Sequence, residues 1–81
     1  MKYLLQTQTK AGMFYIGQTP DGRFHPIYND ESLVSYSQIW QATEDLAENA
    51  TFSVYHQDTG KLLDTSLLKI SPDPRDWDPY H

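Results

Sequence analysis

His25 and His56 lie inside strand-like segments, and a sheet that brought them together would offer a general base or two imidazole metal ligands. Their surroundings argue against it. No His-x-His or His-x-x-x-His pair supplies two ligands from one element, and His81 is the last residue. Half-exposed strand positions are the better reading of both. Carboxylates crowd at Glu44-Asp45 and at Asp76-Trp77-Asp78. Acid–base work on a glycoside needs two carboxyls facing across a cleft, one of them raised in pKa by an apolar pocket. Glu44 and Asp45 are neighbours on a solvated helix face, and 81 residues leave little room for a cleft. No Gly-x-Ser-x-Gly elbow activates a serine. Gly12, Gly17, Gly22 and Gly60 are dispersed as turn residues rather than gathered in a phosphate loop. No catalytic residue, metal site or cofactor is expected, and an enzyme using His25 or His56 is the weakest alternative.

The charges point elsewhere. Residues 1–43 are neutral, with Lys2, Lys10 and Arg23 against Asp21, Asp30 and Glu31. Residues 44–81 set Lys61, Lys69 and Arg75 against Glu44, Asp45, Glu48, Asp58, Asp64, Asp73, Asp76 and Asp78, so the whole net charge of −5 sits there. Such a field steers encounter and partner choice. It repels nucleic acid and anionic membrane, since phosphate binding needs Lys and Arg in excess. It attracts a basic surface. Glu44, Asp45, Glu48, Asp73, Asp76 and Asp78 are the candidate contacts, joined by Trp77 and Tyr80, because Trp and Tyr are preferred interface anchors. Taken alone, Trp77 reads more readily as a core residue in a domain short of apolar mass. The acids taken alone read more readily as an ordinary surface that aids solubility than as a mimic of nucleic acid.

Those residues need elements to hold them. Lys2–Thr9, Met13–Gly17 and Arg23–Tyr28 read as strands, with Gln18-Thr19-Pro20-Asp21-Gly22 as a hairpin loop in which Pro and Asp-Gly supply the turn angles. Pro26 lacks a ladder donor, which places its strand at an edge or interrupts it. Asn29-Asp30-Glu31-Ser32 is a polar break. Ile39, Ala42, Thr43, Leu46, Ala47 and Ala50 then recur at helical spacing, with Trp40 on the border of the stripe and Gln41, Glu44, Asp45 and Glu48 opposite. Ser35 or Ser37 can cap that helix, and no glycine closes it. Thr51–Gln57 reads as a strand, Asp58-Thr59-Gly60-Lys61 as a turn, and Lys61–Ile70 as strand or apolar loop. The prolines Pro72, Pro74 and Pro79 exclude regular helix and central strand from Ser71–His81.

Asp21-Gly22-Arg23-Phe24-His25, Ala42-Thr43-Glu44-Asp45-Leu46-Ala47, Asp64-Thr65-Ser66 and the late Trp77 occur in that order. In this the chain resembles a family of small, functionally uncharacterised proteobacterial proteins. Its members share an Asp-Gly-Arg-Phe-His hairpin, an Ala-x-Asp/Glu-Asp-Leu-Ala helix and an Asp-Thr-Ser segment before a late Trp. The chain departs from them in Glu48-Asn49-Ala50, where the family tends to glycines, in a longer stretch before Asp64, and in its prolines and Tyr80. The resemblance implies an intracellular bacterial α+β protein and brings no activity. Asp21, Arg23, His25 and Asp64-Thr65-Ser66 are read as turn and cap chemistry rather than as a shared site.

The expected architecture is α+β. An antiparallel sheet of four to five strands, opening with a β-meander, carries one amphipathic helix on one face. Residues 1–70 form the domain and 71–81 a Pro-rich acidic and aromatic tail. Ile39, Ala42, Leu46, Ala47 and Ala50 are expected to pack on Phe14, Ile16, Phe24, Ile27, Phe52 and Val54. No cysteine is present, so no disulfide forms; with no apolar stretch suited to a signal peptide, a cytoplasmic location is expected. The functional expectation is a non-enzymatic acidic protein that docks on a basic partner surface, with homodimerisation left open. Its narrower alternative is a mobile-element inhibitor of anti-CRISPR type that mimics nucleic acid.

Overall fold

The computed structural model describes residues 1–51 and 53–81. Strands β1 (Lys2–Thr9), β2 (Gly12–Gln18), β3 (Phe24–Tyr28) and β4 (Glu31–Ser32) run as an antiparallel meander. Helix α1 (Ile39–Ala47) follows, then a small ribbon of β5 (Val54–Tyr55) and β6 (Leu62–Leu63). Two 3-10 turns (Thr65–Leu67 and Pro74–Asp76) lead to β7 (Asp78–Pro79), which joins the main sheet beside β1 in the order β4-β3-β2-β1-β7. The fold is the expected α+β: a five-stranded antiparallel sheet with a helix on one face.

Local chemistry accounts for the turns. Thr19 and Gly22 close the β2–β3 loop through Gly22 N–H donating to Thr19 O at 2.9 Å, with Gly22 at φ +86° after Pro20-Asp21. Asn29 (φ +53°) and Asp30 (φ +63°) form a two-residue loop, the mirror-image turn that matches strand twist, so the polar break is a hairpin that adds β4. Pro26 is tolerated because its missing donor faces the β4 side. Its carbonyl on that side accepts only from Leu33 N–H at 2.9 Å, past the short β4 ladder.

Helix α1 begins after Gln38 rather than at a serine cap. Gln41 Oε1 accepts from Gln38 N–H and from Ser37 Oγ, each at 3.1 Å. Its last residue, Ala47, falls three short of the expected Ala50. Asn49, at φ +57°, takes the left-handed place usually held by glycine; its N–H donates to Leu46 O, and Ala50 N–H to Asp45 O at 2.8 Å. Thr65 then adds its hydroxyl to Leu46 O and its N–H to Asn49 Oδ1 at 3.1 Å.

Phe14, Ile16, Tyr28, Ala42, Leu46, Val54, Leu68, Ile70 and Trp77 form the core between sheet and helix. Ile39, Ala47 and Phe24 border it half-buried, Ala50 is exposed, and Phe52 lies outside the described residues. Ile27 is buried on the opposite face of the sheet, because it pairs with Tyr15 while Phe14 and Ile16 point to the helix. Gly17 is a strand residue, not a turn residue. A Cβ there would sit 2.5 Å from Met1 Sδ and 2.8 Å from Ile27 Cδ1, so its lack of a side chain lets Met1 close over Ile27. Residues 71–81 pack into the same core: Trp77 is 4% exposed, and Thr43 Oγ1 donates to Pro72 O at 2.7 Å, fastening the segment to α1.

Candidate functional site

The proposed contact residues separate onto two faces. On α1, Trp40, Glu44 and Glu48 stand at i, i+4 and i+8, one stripe on the solvent side, with Trp40 50% exposed. Among the described residues the only ion pair is Arg75–Asp73, so neither Glu44 nor Glu48 is neutralised by a neighbour. Asp45 is engaged from within. It interacts with the Tyr36 hydroxyl, and burial, followed by that interaction and the carboxylate's charge, pushes Tyr36 up to about 12.

The 3-10 turn Pro74–Asp76 packs beside α1. Asp73 caps it, accepting from Arg75 N–H at 2.9 Å and from the Arg75 guanidinium at 2.8 Å. These bonds, the side-chain one first, hold its carboxyl below the usual value. Asp76 Oδ2 accepts from Ser71 Oγ at 2.8 Å and stays exposed. Trp77 is a core residue and not a partner anchor; its indole N–H donates to Ser71 O at 2.9 Å, which satisfies the polar edge of a buried ring. The exposed tryptophan is Trp40.

Beyond Trp77 the chain crosses to the other side. Asp78 pairs with Gln6 and Pro79 with Leu5, while Tyr80 N–H donates to Leu4 O at 3.0 Å. Gln6 in turn pairs with Tyr15, so Asp78 and Tyr80 stand on the face away from the helix. Tyr3 stands there too. Tyr3 and Leu5 would share a face in a regular strand, but the irregularity at Leu4 turns Tyr3 outward while Leu5 keeps to the core. The rings of Tyr3 and Tyr15 lie 5.0 Å apart, Tyr3 and Tyr80 5.2 Å, and Tyr15 and Tyr80 5.7 Å. Burial in this cluster, and then the charge of Asp30, raise the pKa of Tyr3. Alternation along the sequence cannot reveal the bulge that brings Tyr3 beside Tyr15.

The histidines do not converge on one site. His25 Nδ1 is 2.9 Å from Ser32 Oγ across β3 and β4. Its Nε2 is buried with no hydrogen-bond partner among the described residues. His56 Nδ1 accepts from Asp58 N–H at 3.1 Å and so organises the β5–β6 turn. Among the described residues no cluster of three His, Asp or Glu side chains could hold a metal ion.

Asp21, Arg23 and Asp64 do structural work. Asp21 accepts from Thr19 Oγ1, Arg23 Nε donates to Ser35 Oγ at 3.0 Å, and Asp64 caps the turn that carries Thr65. Among the described residues no helix is long and apolar enough to cross a membrane. Compared with protein-family models, curated proteins and solved structures, the chain matches none.

Proposed function

We propose that the protein is a non-enzymatic acidic binding module that docks on a basic protein surface through α1. The observation that carries this is the stripe Trp40, Glu44 and Glu48: a half-exposed indole in line with two carboxylates that make no ion pair among the described residues. A large aromatic in line with unneutralised charge supplies an anchor and a steering field together. Asp76, on the turn packed against α1, extends the charge. The narrower alternative is that these carboxylates imitate nucleic acid in a basic channel of another protein, as a mobile-element inhibitor would.

A pull-down at low and high salt, comparing the native chain with Trp40→Ala and with Glu44→Lys/Glu48→Lys, tests it. The expected partner is basic, is released by salt, and is lost from both variants. Capture that resists salt and survives both changes would overturn the docking face. Competition between partner and DNA separates the mimic from the general module.

A further inference from the structure

The open face of the sheet is not used by that docking mode, and its chemistry differs from that of the helix. Tyr3, Tyr15 and Tyr80 are in ring contact there, with Tyr80 46% exposed. Beside Tyr15 lies a cavity of about 280 Å³ lined by Met13, Tyr15, Asn29, Asp30 and Gln57. Asp78 stands next to Tyr80 on the β7 edge. Neither Asp30 nor Asp78 makes an ion pair among the described residues. In the strand register no Lys or Arg falls on this face; Lys2 pairs with Gln18, which pairs with Phe24 on the helix side.

We propose that this face is a second docking surface and that it takes an arginine-bearing basic segment of a partner. One guanidinium would enter the cavity, where a carboxylate, two amide side chains and an aromatic ring match its flat, donor-rich shape. A second would lie over the tyrosines with Asp78 beside it. Arg is favoured over Lys because guanidinium is weakly hydrated and stacks on rings, whereas an ammonium keeps its water. A second copy of this chain is the poorer occupant. Apposed faces would bring the Asp30 and Asp78 carboxylates of both copies together, and each copy carries a net charge of −5.

The test is titration of the full chain with a short Arg-Gly repeat peptide, its Lys-Gly counterpart and a Glu-Gly control, alongside sedimentation of the protein alone. The Arg peptide is expected to bind more tightly than the Lys peptide. Asp30→Asn, which suits the left-handed turn as well as Asp does, and Tyr80→Ala should each weaken it about tenfold. Tyr80→Phe should retain binding, because the ring face remains. Trp40→Ala/Glu44→Lys, on the other side of the sheet, should leave the preference for Arg unchanged.

Equal affinity for the Arg and Lys peptides would overturn the proposal, as would no binding at all. So would a concentration-dependent dimer that Tyr80→Ala abolishes. Loss of Arg-peptide binding in the helix variant alone would also overturn it while leaving the α1 docking mode intact.

Discussion

The two aromatic surfaces of this protein are built by opposite routes. The α1 stripe is local: Trp40, Glu44 and Glu48 fall within nine consecutive positions, and helical geometry alone aligns them. The tyrosine face is non-local. Tyr3, Tyr15 and Tyr80 come from three strands, and Tyr80 arrives only because β7 returns to pair with β1. The helix surface therefore needs only α1 to form. The sheet surface needs the whole chain folded, its tail included.

Trp77 is where that dependence is most exposed. Trp77→Ala should cost about 3–5 kcal/mol, a large part of the stability of a small domain. Urea denaturation is expected to show a marginal or unfolded protein. A variant that keeps the tyrosine near-ultraviolet signal and an unshifted midpoint would show that the tail seats itself without its anchor.

A milder cut separates tail from helix. Thr43→Val removes the hydroxyl that donates to Pro72 O in a part-buried bond, at a cost of about 1 kcal/mol. The denaturation midpoint should fall while the helical circular dichroism stays. An unchanged midpoint would mean that Trp77 alone holds the tail.

The next prediction isolates the helix side. Tyr36 has its pKa raised in the folded state from 10.0 to about 12. Its contribution to stability is thus complete below pH 10 and is lost as pH rises through about 12. Tyr36→Phe should flatten the alkaline loss of stability across that window, leaving the tyrosine contacts on the far face in place. Identical alkaline unfolding in both proteins would contradict a Tyr36 hydroxyl held neutral by burial and by Asp45.

The smallest effect belongs to Asp73. Its folded pKa lies below 3.8, so its stabilisation is present above that value and disappears as the pH falls through the lowered one. Asp73→Asn should lower the Tm slightly at neutral pH, and the gap from the native chain should close in acid. Solvent screens this exposed pair with Arg75, and a large gap would be unexpected.

Legibility followed the range of the forces involved. Pro20-Asp21-Gly22 marked the β2–β3 turn because left-handed φ values and a fixed proline φ are local demands. The spacing of Ala42, Leu46 and their neighbours marked α1 for the same reason. Its end was misjudged because Asn49, not glycine, took the left-handed position, helped by Thr65 from a distant segment. Ile27 was assigned to the right degree of burial on the wrong face. Of the expected contact residues, Glu44, Glu48, Asp76, Asp78 and Tyr80 are exposed; Asp45 and Asp73 are engaged by Tyr36 and Arg75, and Trp77 is buried. Trp77 takes the core place that was one of its two readings, and Trp40, on the border of the helical stripe, stays half-exposed. Composition cannot say which large ring a thin core will take.

By itself the sequence determined the α+β class, the helix with its acidic outer side, the Asp-Gly hairpin and the concentration of negative charge after residue 43. Periodicity, turn angles and charge count are properties of neighbours along the chain. Only the tertiary structure decided that Trp77 fills the core while Trp40 stays out. It also decided that the bulge at Leu4 turns Tyr3 outward, and that β7 carries Asp78 and Tyr80 to the face opposite the helix. Those outcomes depend on which distant segments pack together, and pairing across more than seventy residues (Leu5 with Pro79) leaves no periodic trace in the chain.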